Sequence, residues 1–116
     1  MIHRRTARAV SLVLALVLLA SLACSILPGS GGNIRLVNNL DVAVCYVYIS
    51  PSTERTWGDD WLGSQEVVRP GDSRDFDVPP GQDYDLRAED CNGQELDEVY
   101  GISITSGRFT WTLSPR

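Results

Sequence analysis

The chain has no lysine, and its single histidine, His3, lies within the first few residues. Everything downstream must therefore work without an imidazole or a primary side-chain amine. That excludes a histidine-based triad, an imidazole metal site, a lysine Schiff base and a lysine general base. Cysteine is scarce too, limited to Cys24, Cys45 and Cys91. No 3.6-residue apolar period is sustained beyond residue 32, so no helix is expected in the folded part.

The N-terminus carries the only stretch of one-sided positive charge. Arg4, Arg5 and Arg8 precede an unbroken apolar run, Val10 to Ala20, with no acid among them. A short apolar core with basic residues before it and small residues after it reads as a secretory signal, residues 1–23. The competing reading, a permanent membrane span, calls for a longer apolar stretch. "LLASLAC", Leu18 to Cys24, resembles the lipobox of bacterial lipoproteins. Ala23 and Cys24 match that pattern, while Ser21 stands where an aliphatic residue is usual. The resemblance implies that Cys24 is lipidated and becomes the new N-terminus. Residues 24–32 are small, Gly-rich and uncharged, and suit a flexible tether. The domain is expected over residues 33–116.

Loss of residues 1–23 leaves 93 residues, one domain by length. All fifteen Asp and Glu follow Cys24, against seven remaining Arg, a formal charge of −8. Nucleic acid and anionic headgroups should be repelled by such a domain. Export also places Cys45 and Cys91 in an oxidising compartment, where the remaining even pair is expected to form a disulfide. A redox-active pair would need C-x-x-C spacing, which is lacking.

Strand signals recur between turn signals. Asn33–Asn39 is a candidate first strand, and Asp41–Ser50 reads as a strand buried on both faces. Glu66–Val68 is short and precedes Arg69-Pro70-Gly71-Asp72, a type II turn by composition. Ser73–Val78 alternates, with Phe76 and Val78 on one face. Pro79–Gln82 repeats the turn chemistry. Asp83–Gly101 reads as a hairpin about Asn92-Gly93, expected as a type I′ turn. Its register places Leu86 opposite Val99 and Arg87 opposite Glu98. In that register Cys91 has the parity of the outer face, so its bridge to Cys45 needs a twist or bulge. Arg108–Ser114 should point Phe109, Trp111 and Leu113 inward. About seven short strands argue an all-β antiparallel β-sandwich, immunoglobulin-like or transthyretin-like.

The longest segment without strand character, Pro51–Gln65, contains "WGDDWLG", Trp57 to Gly63. Loops of this length inside compact domains are often functional. One reading is a Ca²⁺ site, in which Asp59 and Asp60 supply charge and Glu54 and backbone carbonyls complete the shell. Another is structural: Trp57 and Trp61 cover the open end of the fold, Gly58 and Gly63 take special angles, and the aspartates cap turns. A third makes Trp57, Asp59, Asp60 and Trp61 a ligand or partner surface. A carboxylate-based hydrolase would need two acids fixed at a set separation, which nothing in the sequence specifies.

The block from Trp57 to Gly63, with the later "PGD", "PGQDYDLRAEDCNG" and "WTLS", is similar to a small domain recurring in exported proteins of environmental bacteria. The resemblance spans residues 33–114. It implies an extracellular module and supplies no catalytic residues. The expectation is a lipid-anchored binding or interaction module of the cell envelope, not an enzyme and needing no cofactor. The alternative is a purely structural envelope lipoprotein.

Overall fold

The computed structural model describes residues 31–116; the signal segment, Cys24 and the tether up to residue 30 lie outside the described residues. The described chain is all-β, with six strands: β1 (Gly32–Asn38), β2 (Tyr46–Pro51), β3 (Ser73–Val78), β4 (Gln82–Glu89), β5 (Glu95–Ile104) and β6 (Gly107–Leu113). They form two three-stranded sheets, ordered β3-β1-β6 and β2-β4-β5. Only β4 and β5 are joined as a hairpin within one sheet; every other connection changes sheet.

Alternation on β1, β3, β4 and β6 builds one shared core. Ile34 and Leu36 of β1, Phe76 and Val78 of β3, and Trp111 and Leu113 of β6 are buried together with Val47, Ile49, Tyr84, Leu86, Ala88 and Ile104 of the other sheet. Phe109 is only partly buried. Trp111 adds a polar tie between the sheets, its Nε1 donating to Asp97 Oδ2 of β5 at 2.8 Å. At the entry to β1, a Cβ on Gly32 would stand 2.5 Å from Ile104 Cγ2 and 3.0 Å from the Val78 carbonyl oxygen. The strand thus begins at Gly32, one residue before the domain boundary expected from composition, because only glycine fits there.

Several expectations are corrected. The sheets are not wholly antiparallel, since β1 pairs with β6 in parallel. Six strands replace the expected seven: Glu66–Val68 contributes only an isolated bridge, Val44 to Val68. The second strand starts at Tyr46 rather than Asp41, and it alternates over Tyr46–Ile49 before Ser50 is buried on the other face. Asn38 explains the late start. It is fully buried, its Nδ2 donates to the Val42 and Val68 carbonyls at 2.9 Å each, and its Oδ1 accepts from Leu40 N at 3.0 Å. These bonds hold the chain after β1 in a turn, and a satisfied buried amide of this kind competes well with a ladder.

The hairpin register is as expected, with Leu86 opposite Val99 and Arg87 opposite Glu98. Its turn is not. Among its residues only Gly93 has positive φ, at 77°, whereas a type I′ turn requires two. Gly93 N donates to Asp90 O at 3.1 Å, and Asp90 Oδ1 accepts from Asn92 N at 2.8 Å and Gln94 N at 2.9 Å. The Asp90 carboxylate thereby favours a longer turn closed by a glycine bulge. A register shift between Ala88 and Glu89 restores the pairing. The same turn resolves the parity of Cys91, which leaves the ladder and bonds to Cys45 with Cα atoms 4.9 Å apart. At the next turn, the Arg69 carbonyl accepts from Asp72 N at 2.9 Å with Gly71 at φ 85°, as its Pro-Gly pair predicts.

Candidate functional site

β2 lies at the edge of its sheet, paired on one side only with β4. An open edge is a template for unwanted pairing unless something covers it. The loop after β2 folds back along that edge. Trp61 N donates to the Val47 carbonyl at 2.7 Å, and Trp61 Nε1 donates to the Ile49 carbonyl at 3.0 Å. Val47 N in turn donates to Asp60 Oδ1 at 2.9 Å, and Leu62 N donates to the same oxygen at 3.0 Å. Ser50 Oγ donates to the Thr56 carbonyl at 3.0 Å. Side chains and backbone of the loop thus take the place of a neighbouring strand.

Leu62, only 5 % exposed, anchors this loop in the core. The Trp61 ring meets Phe76 edge-on, with centroids 6.2 Å apart, and Arg74 lies over the Phe76 ring at 4.8 Å while its Nε pairs with Glu66 at 2.6 Å. Trp61 nevertheless keeps 38 % of its surface exposed. Gly58 has positive φ, as expected, but Gly63 does not.

Between the two indoles the loop leaves a hollow of about 470 Å³. It is lined by the indoles of Trp57 and Trp61, by the apolar Ile49 and Pro51, and by the carboxylates Glu54, Asp59 and Asp60. All five site residues singled out in the sequence therefore line one concavity. The two adjacent aspartates have different work: Asp60 accepts one amide from β2 and one from the loop, while Asp59 is exposed. Among the described residues no group of three or more His, Cys, Asp or Glu side chains is gathered closely enough to hold a metal ion.

Sequence reasoning missed Tyr100 and Asp85. Tyr100 lies beside Trp57, ring centroids 5.9 Å apart, and the two share a second hollow of about 310 Å³ with Asp85, Arg55 and Glu54. Asp85 Oδ1 accepts from Ser52 Oγ at 2.7 Å and from Gly101 N at 2.9 Å, fixing both the start of the loop and the bulge that carries Tyr100. Tyr100 shares the outer-face parity of Arg87 and Glu98, the one signal that marks it before the fold is known. Its hydroxyl donates to Glu98 Oε2, whose carboxylate also receives Arg87, itself paired with Glu89 at 2.6 Å.

This relay sets the local titration. The Tyr100 hydroxyl, then Arg87, hold the Glu98 carboxyl below its ordinary range, and the same contact raises Tyr100 above the usual phenol range. A carboxyl depressed in the folded state contributes stability above its unfolded pKa, and that contribution is lost as pH falls through the folded one. Glu98→Gln is therefore expected to flatten the acid limb of stability against pH, read from urea midpoints between neutral pH and pH 3. Equal slopes for both proteins would show that the relay does not act on folding.

No protein-family model, curated protein or solved structure matches this chain.

Proposed function

We propose that this is a binding module exported to the bacterial cell envelope and held there by lipid on Cys24, its two sheets forming a small β-sandwich of immunoglobulin-like or transthyretin-like size. The observation that carries the binding role is the hollow between Trp57 and Trp61. Its volume falls within the range of small-ligand sites, and its mix of aromatic walls with a few polar groups is their usual composition. Partly exposed indoles support the same reading, because a tryptophan needed only for packing is better buried. The basic n-region, apolar run and lipobox-like segment support export, and a Cys45–Cys91 disulfide fits an oxidising compartment.

A binding role is preferred to a catalytic one. The Ser50 hydroxyl beside the hollow is turned to backbone carbonyls rather than to a base. The competing reading, a structural envelope lipoprotein, takes its support from the loop's cover over the β2 edge. A fragment screen on the full chain in a non-ionic detergent, read by amide chemical shifts, separates the two. A binding module should give shifts clustered from Ser50 to Leu62 and around Tyr100. Fragments that shift no amide in that region, or shift amides scattered over the surface, would favour the structural reading.

A further inference from the structure

The hollow between the two indoles is one-sided in charge. Its lining contains three carboxylates, Glu54, Asp59 and Asp60, and no basic residue. An anionic ligand would enter against that field, in a domain already carrying excess negative charge. A neutral ligand would gain nothing from three ionised groups that must stay hydrated. A cation gains from all of them, and the choice then lies between a hard metal ion and a diffuse organic one.

Geometry favours the organic cation. A hard cation needs six to eight converging oxygens. Among the described residues no group of three or more His, Cys, Asp or Glu side chains is gathered, and one Asp60 oxygen is already engaged by the Val47 and Leu62 amides. An alkylammonium group needs no converging oxygens. It spreads its charge over several carbons, loses little hydration on entering an apolar wall, and is attracted by the negative face of an indole. A lining of two tryptophans, apolar Ile49 and Pro51, and three carboxylates meets those requirements.

We propose that the Trp57–Trp61 hollow binds a weakly hydrated organic ammonium group, with the indoles as cation–π walls and Glu54 and Asp59 as its counter-charges. The proposal rests on the binding role argued above and names the ligand class. A free ammonium compound is favoured over a phosphate-bearing headgroup, because the phosphate would lie against the same carboxylates.

The test is a titration of the full chain in a non-ionic detergent at constant ionic strength, followed by tryptophan fluorescence. Trp57 and Trp61 are two of only three tryptophans, and the third, Trp111, is buried in the core. Choline is the probe, 3,3-dimethyl-1-butanol its neutral isostere, and phosphocholine the anionic variant. Choline is expected to saturate, to weaken at higher salt, and to lose about tenfold or more in affinity in Trp57→Ala. Glu54→Gln with Asp59→Asn should weaken it about fivefold or more while leaving the urea midpoint unchanged. Phosphocholine should bind more weakly than choline.

Equal binding of choline and its neutral isostere would overturn the charge argument while leaving the hollow as a binding site. Saturation by Ca²⁺ but not choline, abolished in Asp59→Asn, would overturn it in favour of a metal. No response to choline, with fragment shifts still clustered on the loop, would reject the ligand class alone. With no such cluster either, the binding role falls as well.

Discussion

Replacing Cys45 and Cys91 together by serine is expected to lower the unfolding free energy by about 4 kcal/mol. The two residues are 46 apart in sequence, and the loop they close contains β2, the tryptophan loop, β3 and β4. In the chain-entropy account, the bridge removes from the unfolded ensemble the freedom of that whole loop. Small domains are stable by about 5–15 kcal/mol, so the loss is a large fraction of the total. It corresponds to a fall in Tm of about 15–30 °C.

In the folded state the bridge adds little new geometry. Cys45 N already donates to the Glu89 carbonyl at 2.9 Å, and both cysteines belong to the same end of the β2-β4-β5 sheet. The effect should therefore reside in the unfolded chain. Urea unfolding with and without reductant measures it, and the reduced protein should show a lower midpoint with a slope at least as steep. A loss below about 1 kcal/mol would mean that the unfolded chain is already compact around this pair.

Asp60→Ala should be the most damaging single substitution in the loop, at about 2–4 kcal/mol. One carboxylate oxygen satisfies two backbone amides, those of Val47 and Leu62. Val47 is fully buried and Leu62 nearly so, while both bonds are part-buried, so water can replace the lost acceptor only in part. Truncation strands these donors, and the cost of a stranded donor exceeds the net worth of the bond. Asp60→Asn keeps an oxygen at the same place and should cost about 1 kcal/mol or less. Asp59→Asn, at the exposed rim, should stay within about 0.5 kcal/mol.

Hydrogen exchange adds a site-specific readout. The Val47 and Trp61 amides should lose protection in Asp60→Ala well before the β4 amides do, since the loop would lift from the β2 edge as a unit. Equal losses for Asp59→Ala and Asp60→Ala would sink the division of labour between them. If the division holds, the two aspartates part in opposite directions: Asp60 governs folding and Asp59 governs ligand affinity.

The site was legible in the sequence to the extent that it is local. Trp57, Asp59, Asp60 and Trp61 lie within five residues, and Glu54 three residues earlier, so one loop can bring them to a single hollow. Tyr100 and Asp85 escaped because they come from β4 and β5, and their approach to Trp57 depends on the bulge at Gly101. A bulge shifts pairing by one residue, and nothing in a strand of alternating character says where it falls. The β4–β5 register shows the converse. Its Leu86–Val99 and Arg87–Glu98 pairs follow from counting back from a two-residue turn, and they hold with a different turn because a second irregularity cancels the first.

By itself the sequence determined the all-β character, the inward Phe76 and Val78 of β3 and Trp111 and Leu113 of β6, the Arg69–Asp72 turn and the pairing of the two cysteines. Each follows from short-range alternation, from backbone limits at Pro and Gly, or from elimination among few cysteines. Only the tertiary structure decided that β1 lies parallel to β6, that the chain bends at Leu40–Val42 around Asn38 and leaves Val44 a lone bridge to Val68, and that Asp60 closes the edge of β2. Those outcomes depend on where buried N–H and C=O groups find partners across the fold. That is a three-dimensional balance which no run of adjacent residues records.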